Sequence, residues 1–117
     1  MILWHNPRCS KSRQTLALLA GHAPDVRLYL QDPPTLAELT QVAGLLGGAG
    51  TMIRRGESLY KDLGLTNADE ATLLAAMAAH PILIERPILL TKGKAALGRP
   101  PENALTILQS TARSNAG

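Results

Sequence analysis

The chain has 117 residues, of which 45% are hydrophobic and 18% charged, with a formal net charge of +3. That balance excludes an intrinsically disordered chain and reads as one soluble globular domain, long enough to bury roughly 65% of its unfolded surface. The chain has a single cysteine, Cys9, which excludes an intramolecular disulfide and gives no pointer to an oxidising compartment.

In chain order, residues 2–5 (ILWH) are a short apolar run ended by Asn6-Pro7, and the pattern predicts a buried strand. A helical period takes over from about Ser10, with Leu16, Leu19 and Ala20 on one face and Gly21 as a stop. Residues 25–30 (DVRLYL) alternate as a strand, placing Val26, Leu28 and Leu30 on one side, before Asp32-Pro33-Pro34 breaks it. Thr35 with Glu38 forms a capping box for a helix to about Leu46, with Leu36, Leu39, Val42, Ala43 and Leu46 inward. GGAG (47–50) ends that helix, followed by a short helical piece near Met52–Arg55 and a polar turn.

Asn67 with Glu70 suggests a second cap, opening a helix over 70–80 that Pro81 closes. ILIE (82–85) reads as a strand, Arg86-Pro87 interrupts, ILLT (88–91) is another strand, and Lys92-Gly93 turns into KAALG. Pro100-Pro101 starts a last helix. A strand–helix–strand part comes first, helices fill the middle and a hairpin with a helix comes last: an α/β chain in two parts without an evident linker.

Cys9 sits at the first strand-to-helix junction, in the most polar and basic part of the sequence. An inert packed thiol is the ordinary alternative. Free N–H groups and the helix dipole at such a junction favour an anion, and Arg8, Lys11 and Arg13 add positive charge. Both effects lower a thiol pKa, and the thiolate is the nucleophile. Ser10, Ser12 and Arg13 are therefore the residues expected to stabilise a Cys9 thiolate.

Spacing then removes mechanisms. A C-x-x-C dithiol is absent because position 12 is Ser12, and a C-x5-R phosphatase loop is absent because position 15 is Thr15. An oxidised Cys9 must be resolved by an external thiol. His5 and Cys9 do not make a metal site, since a closed zinc site needs four ligands and His22 and His80 lie in unrelated segments. His5 is either a neighbour that orients or protonates near the thiol, or a surface histidine.

Arg54, Arg86 and Arg99 each have a solvated-surface alternative, but Arg86 lies between apolar segments, where a solvated charge is unexpected. A rigid Pro87, in cis or in trans, would hold it in place, and a guanidinium binds two oxygens of a tetrahedral oxyanion at once. GGAG lacks the spacing of a phosphate loop and reads as a helix stop.

Four segments in order, His5-Asn6-Pro7-Arg8-Cys9-Ser10-Lys11-Ser12-Arg13, Ile53–Leu65, His80–Ile88 and Leu97–Glu102, resemble the glutaredoxin-coupled arsenate reductase family. The resemblance implies a thioredoxin-like fold with a mixed four-stranded sheet, its core at about 1–31 and 80–110 and a helical insertion at about 35–79, in a single domain over 1–117. It implies Cys9 as the catalytic nucleophile with His5 beside it, Arg54, Arg86 and Arg99 as oxyanion ligands, and Pro87 as the family's cis-proline. It also implies arsenate as substrate, glutathione as co-substrate and glutaredoxin as partner, with no bound cofactor or metal. The same fold serves other thiol oxidoreductases and Spx-type regulators that bind RNA polymerase without catalysis.

No apolar run approaches the ~20 residues of a membrane span, and the N-terminus is too poor in apolar residues for a signal peptide. With Trp4, Tyr29 and Tyr60 as its aromatics, the chain lacks a basic stripe interleaved with stacking residues for nucleic acid. A cytoplasmic monomer is the expectation. The polar tail, residues 109–117, is assigned no role.

Overall fold

A computed structural model describes residues 1–108, so the tail lies outside the described residues. Four strands, β1 (Ile2–His5), β2 (Asp25–Leu28), β3 (Ile88–Thr91) and β4 (Lys94–Leu97), form one sheet in the order β2-β1-β3-β4. β1 pairs parallel with β2 and antiparallel with β3, and β3 pairs antiparallel with β4, so the sheet is mixed. Helices α1 (Ser10–Leu18), α2 (Leu36–Leu46), α3 (Ser58–Asp62) and α4 (Glu70–Ala79) complete an α/β chain, with short 3-10 turns between them.

The chain divides into two compact units. One comprises Met1–Leu28 with the described part of Arg86–Gly117, and the other is Tyr29–Glu85.

In the first unit, register puts Leu3 opposite Leu89 and Leu89 opposite Ala96, so the three share one face of the sheet. Leu3, Leu19, Leu89 and Ala104 form its buried cluster, with Leu16 and Leu105 packed against them. α1 and the 3-10 helix Pro101–Leu105 supply the covering residues. Burial of this kind contributes roughly 1.5–3 kcal/mol per large aliphatic side chain. The β3–β4 turn has Lys92 at φ 47° and Gly93 at φ 75°. Two consecutive positive φ values suit the right-handed twist of a two-residue hairpin.

The second unit is built on α2 and α4, whose buried residues include Leu39, Val42 and Ala43 on α2 and Leu73, Leu74 and Met77 on α4. The capping box at α2 forms as expected: Thr35 Oγ1 accepts the Glu38 N–H at 3.1 Å and Glu38 Oε1 accepts the Thr35 N–H at 2.9 Å. Gly47 at φ 91° ends the helix in a left-handed cap.

Several expectations are corrected. Residues 82–85 are not a strand: Pro81–Leu83 is a 3-10 turn, and only Ile84 makes a bridge, to Ile53. β2 stops at Leu28, so Leu30 lies beyond the strand and is exposed, and Val26, on an edge strand paired with β1 alone among the described residues, is exposed too. Ala20 is exposed, since α1 ends at Leu18 and the chain tightens into a 3-10 turn. Leu36, in the first turn of α2, is exposed too. The cap of α4 is Asp69, whose side chain accepts the Thr72 N–H at 2.9 Å, not Asn67. Within the segment read as a polar turn lies α3. The last helix begins as a 3-10 turn over Pro101–Leu105 and becomes α-helical only at 106–108.

Candidate active site

Cys9 is the N-cap residue of α1, extended at φ −95° and ψ 126°. Its N–H donates to the Asn6 carbonyl at 3.0 Å, and its carbonyl accepts the Arg13 N–H at 3.0 Å, the first bond of the helix. Asn6 holds the loop from both sides. Its Oδ1 accepts the Arg8 N–H at 3.0 Å, and its own N–H donates to Ser12 Oγ at 3.0 Å. Asparagine closes such turns on its own backbone, which is why this short polar segment sets the sulfur at the helix start.

Burial pushes the Cys9 thiol up, but opposing groups outweigh it: the Ser12 backbone N–H, the Arg86 charge, the Lys11 backbone N–H and the Arg99 side chain. The net result is a thiol below its ordinary value of 9.0. Arg99 Nη1 lies 3.9 Å from Cys9 Sγ and donates to the Arg86 carbonyl at 3.1 Å. The two N–H bonds of that nitrogen allow both contacts. The sulfur is partly exposed, so a small anion can reach it.

His5 is no surface histidine. It is 5% exposed, and its Nδ1 lies 2.8 Å from Ser12 Oγ. Burial, and then the charge of Arg13, hold its pKa below 6.5, so the imidazole is neutral at pH 7. The Ser12 hydroxyl is engaged by His5 and Asn6. The Cys9 side chain makes no capping hydrogen bond of its own, and the Ser12 main-chain N–H acts on the thiol by lowering its pKa. Arg13 Nη1 donates to the Pro7 carbonyl at 3.0 Å. Ser10 is the exposed first residue of α1.

The first unit thus brings together Cys9, His5, Ser12, Arg13, Arg86 and Arg99. Pro87 is buried beside them, and both Arg86–Pro87 and Arg99–Pro100 are cis. Arg54 belongs to the second unit. There its N–H donates to the Leu83 carbonyl at 2.7 Å, and its Nη1 sits 3.4 Å from Glu57 Oε2 and 3.5 Å from the Ile82 carbonyl. Among the described residues, no group of three or more His, Cys, Asp or Glu could hold a metal ion.

Thr15 and Gly98 were not singled out by their sequence. Thr15 entered only as the residue that breaks a phosphatase spacing, yet it is fully buried beside Gly98. The available signal was periodic: Ser12, Thr15 and Leu19 fall on one helical face and are all buried.

A lone thiol at a helix N-terminus on a mixed β2-β1-β3-β4 sheet, with the Arg99 guanidinium 3.9 Å from the sulfur, defines a thioredoxin-like thiol protein. The comparisons narrow this further. The model of the ArsC family matches residues 4–107, and the chain belongs to that family. An arsenate reductase from Neisseria meningitidis is 51% identical over 112 residues, covering 91% of this chain and 96% of the relative. One from Haemophilus influenzae is 47% identical over 114 residues, covering 92% and 98%. The solved structure of an arsenate reductase from Vibrio cholerae superposes with a TM-score of 0.84 at 47% identity, covering 89% of this chain and 93% of that one.

Proposed function

We propose that this protein reduces arsenate to arsenite through a thiol–arsenate adduct on Cys9, with glutathione and glutaredoxin as the external thiols. The observation that carries the reading is the sulfur's setting: a partly exposed thiol at the start of α1, with Arg99 Nη1 3.9 Å away and the Arg86 charge and the Ser12 and Lys11 main-chain N–H groups lowering its pKa. The same donors that favour a thiolate favour a tetrahedral oxyanion and the charge that builds on it during attack.

The Cys9 thiolate attacks arsenic and a bond to oxygen breaks, releasing water after protonation. The glutathione thiol then bonds to arsenic with loss of a second water. Glutaredoxin attacks the glutathione sulfur, and the sulfur–arsenic electron pair stays on arsenic, which becomes As(III). Water cleaves the remaining Cys9–arsenic bond and arsenite leaves. Arg86 and Arg99 bind oxygens of the substrate or its adducts, and Arg54 is a further oxyanion ligand. The protein works as a cytoplasmic monomer, where glutathione keeps Cys9 reduced, and it uses no resident cofactor.

The test is arsenate-dependent NADPH oxidation with glutathione, glutaredoxin and glutathione reductase. Cys9→Ser should reduce the rate to background. Arg86→Ala and Arg54→Ala should each lower kcat/KM for arsenate by one or more orders of magnitude, the scale of a lost charged contact of about 1.5–3 kcal/mol. A wild-type rate no higher than that of Cys9→Ser defeats the reading. Recovery of RNA polymerase by the inactive chain, independently of Cys9, would favour a regulator instead.

A further inference from the structure

Gly98 follows the last residue of β4 and precedes Arg99, and it is buried. A Cβ built there would lie 2.6 Å from Thr15 Oγ1, 2.7 Å from Pro87 Cγ and 3.2 Å from Thr15 Cγ2. The Gly98 φ is outside the left-handed region, so the requirement for glycine comes from space and not from backbone conformation.

The neighbours have little room to yield. Thr15 is fully buried, and its hydroxyl donates to the Lys11 carbonyl at 2.8 Å, so rotating the β-branched side chain breaks that bond. Pro87 is a buried ring, and its carbonyl accepts the Gly98 N–H at 2.9 Å. The Gly98 main chain is therefore clamped between the Thr15 side chain on α1 and the Pro87 ring. Each jaw of the clamp is tied to a residue that acts on the thiol. Thr15 is anchored to Lys11, whose N–H acts on Cys9, and Pro87 follows Arg86, whose carbonyl receives Arg99.

We propose that Gly98 is a positioning residue for Arg99: its contact with Thr15 and Pro87, made without a side chain, sets where the Arg99 guanidinium meets Cys9 Sγ and the Arg86 carbonyl. At 3.9 Å, the Arg99–sulfur contact is already long for a hydrogen bond to sulfur, so a shift of a few tenths of an ångström in the Arg99 backbone breaks it. A methyl group at position 98 imposes such a shift. Gly98 itself touches neither sulfur nor substrate.

The test reads the sulfur directly. The rate of Cys9 alkylation by iodoacetamide is followed against pH in the wild type, Gly98→Ala, Arg99→Ala and the double variant, with circular dichroism melts to confirm folding. Gly98→Ala should move the alkylation profile to higher pH and slow the reaction several-fold at pH 7. In the Arg99→Ala background the same substitution should add nothing. An unshifted profile in folded Gly98→Ala overturns the proposal, and so does a shift that persists without Arg99.

If Gly98→Ala does not fold, Thr15→Ala/Gly98→Ala removes two of the three crowding atoms while the Pro87 ring still presses on the new methyl. Compared with Thr15→Ala alone, it should show the same Arg99-dependent shift in reduced form, and no shift overturns the proposal. The inference rests on the reading of Cys9 as a nucleophile. Because alkylation needs no arsenate, failure of arsenate reduction leaves the test decisive.

Discussion

Burial by itself would make Cys9 a poorer nucleophile, because removing a thiolate from water raises its pKa. The opposing groups reverse the sign, so the folded thiol ionises below its ordinary, unfolded value of 9.0. A folded pKa below the unfolded pKa means the unfolded chain binds more protons between the two values. The resulting stabilisation is complete above the unfolded pKa and lost as pH falls through the folded one. The urea midpoint of the wild type, relative to Cys9→Ser, should therefore increase from pH 7 to pH 9, and Arg99→Ala should flatten that increase. A difference independent of pH would contradict the depressed thiol. His5 obeys the same sign at lower pH. Its neutral ring is favoured by the folded state, so its contribution is present above 6.5 and lost as pH falls through the depressed folded value. His5→Asn, whose amide can replace Nδ1 toward Ser12, should reduce the loss of stability between pH 7 and pH 5. An acid slope equal to that of the wild type would show that His5 does not carry it.

At the scale of elements, local signals were legible where a helix end satisfies itself. The Thr35–Glu38 box closes within four residues, so composition and spacing predicted it. Thr35→Ala should cost about 1 kcal/mol and lower the Tm by several degrees, with the urea m-value unchanged. A Tm within error of the wild type would mean that the helix end does not depend on the box. Local signals misled where two solutions look alike. Asn67 and Asp69 are both good caps, and the choice of Asp69 is visible only in its bond to Thr72. The apolar run at 82–85 has strand composition, but Ile84 finds a single bridge partner in Ile53, 31 positions earlier, and no regular ladder forms. The Cys9 junction, the lone thiol and the Arg86-Pro87 pair were legible because their chemistry is written in adjacent residues. The Gly98 clamp was not, because its meaning lies in an approach to Thr15 across 83 positions of sequence.

For the molecule as a whole, the decisive quantity is the number of thiols. Reducing As(V) to As(III) takes two electrons, and two thiols supply them by becoming a disulfide. A chain with one cysteine cannot form that disulfide internally, so turnover must halt wherever the external thiols are withheld. Arsenate and glutathione without glutaredoxin should leave the chain carrying a covalent arsenic–glutathione adduct, visible by intact mass under non-reducing conditions. Cys9→Ser should carry none. Adding glutaredoxin should discharge the adduct and release arsenite, whereas thioredoxin should not substitute, because the disulfide to be formed involves glutathione and not a second cysteine of this chain. Arg86→Ala should slow formation of the adduct more than its discharge, since the guanidinium acts on the sulfur before any bond to arsenic exists. If the chain mass stays unchanged with glutathione alone while thioredoxin supports full turnover, coupling through glutathione is wrong. The Cys9 thiolate would then have to pass its electrons by a route that a single-cysteine chain opens only to a dithiol partner.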